Sequence, residues 1–176
     1  MTRHIKSNLR LMIEILAKDK GNSSIQITSL NQFFNGRVFE NYDSFIREFS
    51  TIEIDEENKL LLNFKIFIIM DTDDCNVDQK ISFKNGDMFK KYWFHPYVIP
   101  IYNSPNADEV FKHLGLLPTK FKDSEKAKLY SKIFPLDKNH KKKERHQLEE
   151  FCHSLSKEKS TNLEEFIKYC LYCKDD

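Results

Sequence analysis

The most apolar part of the chain, residues 60–70, is followed directly by three carboxylates, Asp71, Asp73 and Asp74. A near-continuous apolar run of this kind is typical of a strand that is buried on both faces in a parallel sheet. Residues 97–102 have the same composition and predict a second strand, parallel to the first. In open α/β sheets, ligands gather outside the carboxyl ends of the strands. The pattern therefore predicts that the three carboxylates lie where such a fold places its functional site.

Helices are predicted on both sides of these strands. Apolar residues at helical spacing predict helices over about residues 3–18, 43–49 and 107–114, and alternation predicts a short strand over 24–28. Residues 71–87 are mostly polar and are predicted to form a loop. Strands that alternate with helices indicate parallel βαβ units. The predicted fold class is therefore α/β, with a small, mainly parallel sheet flanked by helices.

The last third of the chain shows only helical patterns. Thr161 and Glu164 have the spacing of a capping box, in which each side chain bonds the backbone of the other. We therefore expect two parts, an α/β domain over residues 1–117 and an all-helical extension over residues 118–176 that packs on it. The helices predicted in that extension cover about residues 123–134, 141–156 and 161–172.

Composition narrows the classes of function. The 176 residues carry a formal net charge of +1, so no global field attracts the chain to nucleic acid or to an anionic membrane. No segment reaches the roughly 18–20 consecutive apolar residues that span a bilayer. The residues after Met1 lack the apolar core of a signal peptide. We therefore expect a cytoplasmic protein without a membrane partner, whose four cysteines are reduced thiols.

The carboxylates after the first strand suggest a metal site. Asp71 and Asp73 lie two positions apart, so their side chains point the same way if the chain stays extended. Two hard oxygen ligands suit Mg²⁺, which is commonly held by one or two carboxylates together with substrate phosphates. Asp74 is a third candidate ligand, and Glu109, at the start of the helix after the second strand, is a candidate catalytic base or further ligand. The alternative is a strand followed by an ordinary polar turn, because Asp is common in turns.

A hydrophobic strand that ends in Asp71-Thr72-Asp73 resembles the aspartate motif of the TOPRIM fold, a compact α/β domain of topoisomerases, primases and phage-defence nucleases. Residues 101–109 resemble the turn and acidic helix start of RloB-like members of that group. The resemblance covers about residues 1–117. It implies that the aspartate pair holds Mg²⁺ and that a glutamate at the end of the first strand acts with it.

The chain departs from that family at the glutamate. Residues 24–30 contain no acid, and the nearest candidate, Glu14, lies in a helical pattern. Two hypotheses follow. The first is a Mg²⁺-dependent TOPRIM-like protein that acts on nucleic acid, as a nuclease or a degenerate remnant. It would be linked to phage defence or to a mobile element. The second is a non-catalytic protein from a phage or mobile element that binds a protein partner, for example as an inhibitor of a CRISPR or defence nuclease. The sequence predicts no oligomeric state.

Two groups of lysines are candidate contacts to nucleic acid. Lys90 and Lys91 stand beside aromatic residues, and Lys141, Lys142 and Lys143 form the most basic cluster of the chain. Lysine ammonium groups neutralise phosphates and make such binding dependent on salt. The alternative interpretation of the second group is a solvated helix start, because runs of charge are usually exposed.

The C-terminal cysteines raise the alternative of a zinc site. Cys170 and Cys173, with Cys152, His146 and His153 before them, could supply four ligands. However, Cys170 falls on the apolar face of a predicted helix, where a free cysteine behaves as a small buried hydrophobe. We therefore expect Cys170 to be packed and Cys173 to be partly exposed, with no zinc bound.

Overall fold

The computed structural model of the chain describes residues 41–49, 52–62, 64–133 and 143–172. Several sequence predictions lie outside the described residues and stay predictions. They are the helix over residues 3–18, the strand over 24–28, and the placement of Glu14, Lys141, Lys142 and Cys173.

Six α-helices and four strands form in the described residues, together with three short 3₁₀ turns. In chain order, these elements are α1 (Tyr42–Glu48), β1 (Ile54–Asp55), β2 (Leu60–Leu61), β3 (Ile66–Asp71), α2 (Val77–Lys84), β4 (Val98–Asn103), α3 (Ala107–His113), α4 (Lys126–Ile133), α5 (Lys143–Leu155) and α6 (Leu163–Tyr172). The 3₁₀ turns cover Asp87–Phe89, His95–Tyr97 and Asp123–Glu125.

The strands form two small sheets. β1 and β2 pair antiparallel, and β3 and β4 pair in parallel. The mixed α/β class is therefore confirmed. The predicted strand ends, at residues 70 and 102, lie one residue before the observed ends at Asp71 and Asn103. The single strand predicted over residues 60–70 is wrong in its first half.

A hairpin accounts for that error. The Asp55 carboxylate accepts hydrogen bonds from the backbone N–H groups of Glu57 and Asn58, each at 3.1 Å, and these bonds close a tight turn. Leu60 and Leu61 then pair back on β1, and the parallel strand β3 begins only at Ile66. β3 buries alternate side chains, so one face is covered more completely than the other.

The polar segment predicted as a loop over residues 71–87 contains helix α2. A reciprocal capping box starts this helix: Gln79 N–H donates to the Asn76 side chain at 2.9 Å, and Asn76 N–H donates to the Gln79 side chain at 3.0 Å. Phe83 is the buried side chain of α2, whereas Val77 and Ile81 are exposed. Hydrophobic periodicity could not reveal a helix that buries so little, but the cap could have indicated it.

Contacts between residues divide the described chain into two compact units. The first unit contains residues 69–75, 101–133 and 143–172. In it, α5 packs against α6, and the Phe111 ring lies 5.8 Å from Tyr130 and 6.2 Å from Phe151, measured between ring centroids. Cys170 is buried in the same unit, as expected.

The second unit contains residues 41–49, 52–62, 64–68 and 76–100 and is built on aromatic packing. Phe45 on α1 is buried, and its ring centroid lies 5.2 Å from that of Phe64 and 5.1 Å from that of Trp93. The Tyr97 hydroxyl accepts a hydrogen bond from Leu61 N–H at 2.8 Å. Across the described residues, no helix combines the length and apolarity that a membrane span requires.

Candidate functional site

The carboxyl ends of β3 and β4 meet at one edge of the parallel sheet. Asp71 ends β3 and Asn103 ends β4. The backbone N–H of the fully buried Thr72 donates to the carbonyl oxygens of Asn103, at 3.0 Å, and of Pro105, at 2.7 Å. These bonds hold the acidic segment beside the loop that follows β4.

The Asp71 carboxylate is held by the two residues that flank that loop. Its Oδ1 accepts hydrogen bonds from Asn103 Nδ2 at 3.0 Å and from the backbone N–H of Ala107 at 3.2 Å. Ala107 is the first residue of α3, and Asn103 is the last residue of β4. The neighbouring strand and the helix after it therefore both orient this carboxylate.

Asp73 is held by the cap of α3. Its Oδ2 accepts a hydrogen bond from Asn106 Nδ2 at 3.1 Å, and the Asn106 oxygen accepts the backbone N–H of Glu109 at 3.1 Å. Asp73 Oδ1 also accepts the backbone N–H of Asp74 at 3.2 Å. Both Asp73 and Asp74 are exposed. The predicted metal ligands Asp71 and Asp73 thus each accept a hydrogen bond from an asparagine, one at the end of β4 and one at the cap of α3.

Asn103 itself is buried and is held from a third direction. Its Oδ1 accepts a hydrogen bond from the Thr161 hydroxyl at 2.9 Å, and Thr161 Oγ1 accepts the backbone N–H of Leu163 at 3.1 Å. The predicted capping box is therefore wrong: the Thr161 hydroxyl bonds the residue two positions on, and Glu164 Oε2 is buried without a hydrogen-bond partner. Thr161 caps the start of α6 and reaches across to β4 instead.

The Asp108 carboxylate on α3 bonds two side chains of α4. It accepts hydrogen bonds from Lys126 Nζ at 2.6 Å and from the Tyr130 hydroxyl. Burial raises the pKa of Tyr130 far above its ordinary value, and the hydrogen bond to Asp108, with the negative charges of Asp108 and Asp71, raises it further. The hydroxyl therefore keeps its proton and acts as a donor to Asp108.

Glu109 lies on α3, where the sequence predicts it. Its carboxylate forms an ion pair with Lys112, with Glu109 Oε1 at 2.7 Å from Lys112 Nζ. This ion pair lies within α3, because Lys112 is three positions after Glu109 on the same helix. The predicted catalytic role of Glu109 stays a prediction.

No group of three or more His, Cys, Asp or Glu side chains in the described residues is placed to hold a metal ion. A site at Asp71 and Asp73 would therefore need ligands from outside this set, such as substrate phosphates and water. Among the cysteines that the structure describes, Cys75, Cys152 and Cys170 form no disulfide. Burial raises the pKa of the Cys152 thiol, and its Sγ contacts the carbonyl oxygen of Glu164 at 3.6 Å.

Of the candidate nucleic-acid lysines, Lys90 and Lys91 are exposed. Lys90 pairs with Asp87 at 2.7 Å, and Lys91 Nζ lies 5.0 Å from the centroid of the Tyr92 ring. Both belong to the second unit, whereas Asp71 belongs to the first. Lys143 begins α5.

Sequence reasoning missed the residues that orient the two aspartates. Asn103 and Asn106 were predicted only as part of a turn, and Thr161 only as a cap. The signal that could have found them is the pair of asparagines, Asn103 and Asn106, at and just after the end of β4, the strand that runs parallel to β3. The chain matches no family model, no curated protein and no solved structure with which it was compared.

Proposed function

We propose that this protein is a Mg²⁺-dependent, TOPRIM-like protein of the cytoplasm that acts on nucleic acid and is linked to phage defence or to a mobile element. The observation that carries the proposal is the support given to Asp71 and Asp73. Both stand at the carboxyl end of a strand in a parallel sheet, and each accepts a hydrogen bond from an asparagine, Asp71 from Asn103 at the end of β4 and Asp73 from Asn106 at the cap of α3. Carboxylates that bind metals are typically oriented by hydrogen bonds of this kind.

The available donors fit Mg²⁺. Asp71 and Asp73 offer hard oxygens, and Mg²⁺ is commonly bound through one or two carboxylates, with water and substrate phosphates completing its shell. Asp74, next to Asp73 and exposed, is a further carboxylate within the same segment. When bound, Mg²⁺ supplies positive charge that stabilises the negative charge on phosphate oxygens.

The other candidate residues would orient the carboxylates, act as a base or bind phosphates. Asn103 and Asn106 orient the carboxylates, which spares the site the cost of ordering them when the cation arrives. Glu109 would act as a base only after leaving Lys112, with which it pairs at 2.7 Å. Phosphates of the bound nucleic acid would be neutralised by the candidate lysines, so the affinity for nucleic acid would decrease as the salt concentration rises. These lysines are Lys90, Lys91, Lys141, Lys142 and Lys143.

Metal binding tests the proposal most directly. Calorimetry of the full chain with Mn²⁺, which accepts the same hard ligands, should show binding that Asp73→Ala weakens by at least roughly 10-fold. Asp73 is the better first target because it is exposed, whereas Asp71 supports the buried Asn103. Asp78→Ala removes an exposed acid from α2 and serves as the matched control, with unchanged affinity expected.

A second candidate function is a non-catalytic protein that binds a protein partner. It is favoured by one observation: in the described residues, no third acid joins Asp71 and Asp73 in a group that could hold a metal ion. In this alternative, the segment after β3 is a turn without a metal, and its exposed carboxylates, Asp73 and Asp74, contact a protein partner. If the unsubstituted chain binds no divalent cation and cleaves no labelled DNA or RNA, the first proposal is wrong and this one is favoured.

A further inference from the structure

A directional chain of hydrogen bonds runs from the start of α6 to the Asp71 carboxylate. Leu163 N–H donates to Thr161 Oγ1 at 3.1 Å, the Thr161 hydroxyl donates to Asn103 Oδ1 at 2.9 Å, and Asn103 Nδ2 donates to Asp71 Oδ1 at 3.0 Å. Asn103 is 2% exposed and Thr161 is 4% exposed, so water has little access to the middle of this chain.

The direction of every bond is fixed by the two ends. A backbone N–H can only donate, and an ionised carboxylate can only accept. The Asp71 carboxylate therefore bonds the NH₂ group of Asn103, which turns the amide oxygen toward Thr161. The Thr161 hydroxyl has one proton and two lone pairs. Leu163 N–H occupies one lone pair, and the proton is donated to the Asn103 amide oxygen.

The backbone around Asn103 is fixed as well, which leaves the amide as the adjustable part. The Asn103 carbonyl oxygen accepts hydrogen bonds from the Thr72 backbone N–H at 3.0 Å and from the Thr72 hydroxyl at 3.2 Å. If the amide flipped, its oxygen would face the Asp71 carboxylate. Two hydrogen-bond acceptors, the amide oxygen and the carboxylate oxygen, would then lie in contact without a donor between them. Such unsatisfied buried groups are strongly disfavoured.

We propose that Thr161 and Asn103 are positioning residues for Asp71, with the Thr161 hydroxyl stabilising the amide orientation that holds the carboxylate ready for a divalent cation. This inference rests on the proposed function for its metal, but the orientation of the amide can be measured without any metal. Neither residue touches the cation or the substrate; both act through Asp71.

The experiment compares two substitutions at one position. Thr161→Val keeps the shape of the side chain and removes the hydroxyl, whereas Thr161→Ser keeps the hydroxyl. Loss of a group that orients a ligand typically weakens metal binding by roughly 10- to 100-fold, so we expect that loss of Mn²⁺ affinity in Thr161→Val and near-native affinity in Thr161→Ser. Thr119→Val makes the same chemical change at an exposed position and should leave the affinity unchanged.

The second readout is the NMR signal of the Asn103 side-chain amide, recorded without metal. In the unsubstituted protein and in Thr161→Ser, its protons should exchange slowly with solvent; in Thr161→Val, exchange should accelerate and the signals should shift. Fast exchange in the unsubstituted protein would overturn the inference even if Thr161→Val failed to fold. Native Mn²⁺ affinity in a folded Thr161→Val would overturn it too.

Failure of the proposed function gives a different result. An unsubstituted chain that binds no Mn²⁺ but shows the expected amide signals, sensitive to Thr161→Val, would refute the metal site while supporting the hydrogen-bonded chain that orients Asp71.

Discussion

Replacing Tyr130 by Phe should destabilise the first unit by a predictable amount. The Tyr130 side chain is 0% exposed, and its hydroxyl donates to the Asp108 carboxylate. A hydrogen bond to a charged group contributes about 1.5–3 kcal/mol to the free energy of unfolding. Asp108 keeps its ion pair with Lys126 at 2.6 Å in the variant, so we expect a loss near the lower half of that range, about 2 kcal/mol at pH 8.

This loss should shrink at alkaline pH. Burial, the hydrogen bond to Asp108 and the nearby negative charges raise the pKa of folded Tyr130 above the ordinary value of 10.0. Above pH 10 the unfolded chain therefore releases this proton before the folded protein does, and the stability that Tyr130 contributes decreases by up to about 1.4 kcal/mol per pH unit. By pH 11 the difference between the two proteins should fall from about 2 to roughly 0.6 kcal/mol.

Urea unfolding at pH 8, 9, 10 and 11 measures both effects. Other tyrosines with raised pKa values, Tyr42 and Tyr102, are present in both proteins, so their contribution cancels in the difference. Tyr172→Phe removes a hydroxyl from an exposed side chain and is the matched control. A Tyr130→Phe protein as stable as the unsubstituted one at pH 8, or a difference that does not change between pH 8 and pH 11, would refute the reasoning.

Three further substitutions test the fold, each by urea unfolding. Phe45→Ala removes a buried ring that packs against Phe64 and Trp93 and should cost about 3–5 kcal/mol; a cost below 1 kcal/mol would contradict that packing. Asn76→Ala removes the cap of α2 and should cost about 1 kcal/mol, with no loss if residues 77–84 were a loop. Cys170→Ala should cost about 1 kcal/mol of packing, and a chelator should leave the unfolding midpoint unchanged; a midpoint lowered by chelation would indicate structural zinc.

Local sequence patterns were sufficient for most of the helices and for the ends of the parallel strands. The apolar run up to Met70 and the acids after it predict where β3 ends, because that pattern depends on neighbours along the chain. The helices predicted over residues 43–49 and 107–114 form as α1 and α3, each starting at an asparagine cap. The division into residues 1–117 and 118–176 stays a prediction.

Local patterns failed where turn chemistry or a cap outweighed hydrophobicity. Leu60 is as apolar as any residue of β3, yet the Asp55 turn directs it into a hairpin. Helix α2 buries Phe83 and little else, so its start is decided by the side chains of Asn76 and Gln79. In both places a few polar hydrogen bonds, which a hydrophobic pattern does not record, decide the structure.

The sequence by itself placed Asp71 and Asp73 at the end of a strand and predicted the chemistry that two carboxylates can support. Only the tertiary structure decided what holds them. Asn103 is separated from Asp71 by 32 positions, and Thr161 is separated from Asn103 by 58. Hydrogen bonds across such distances in sequence depend on how strands and helices pack, and the spacing of residues along one segment carries no information about that packing.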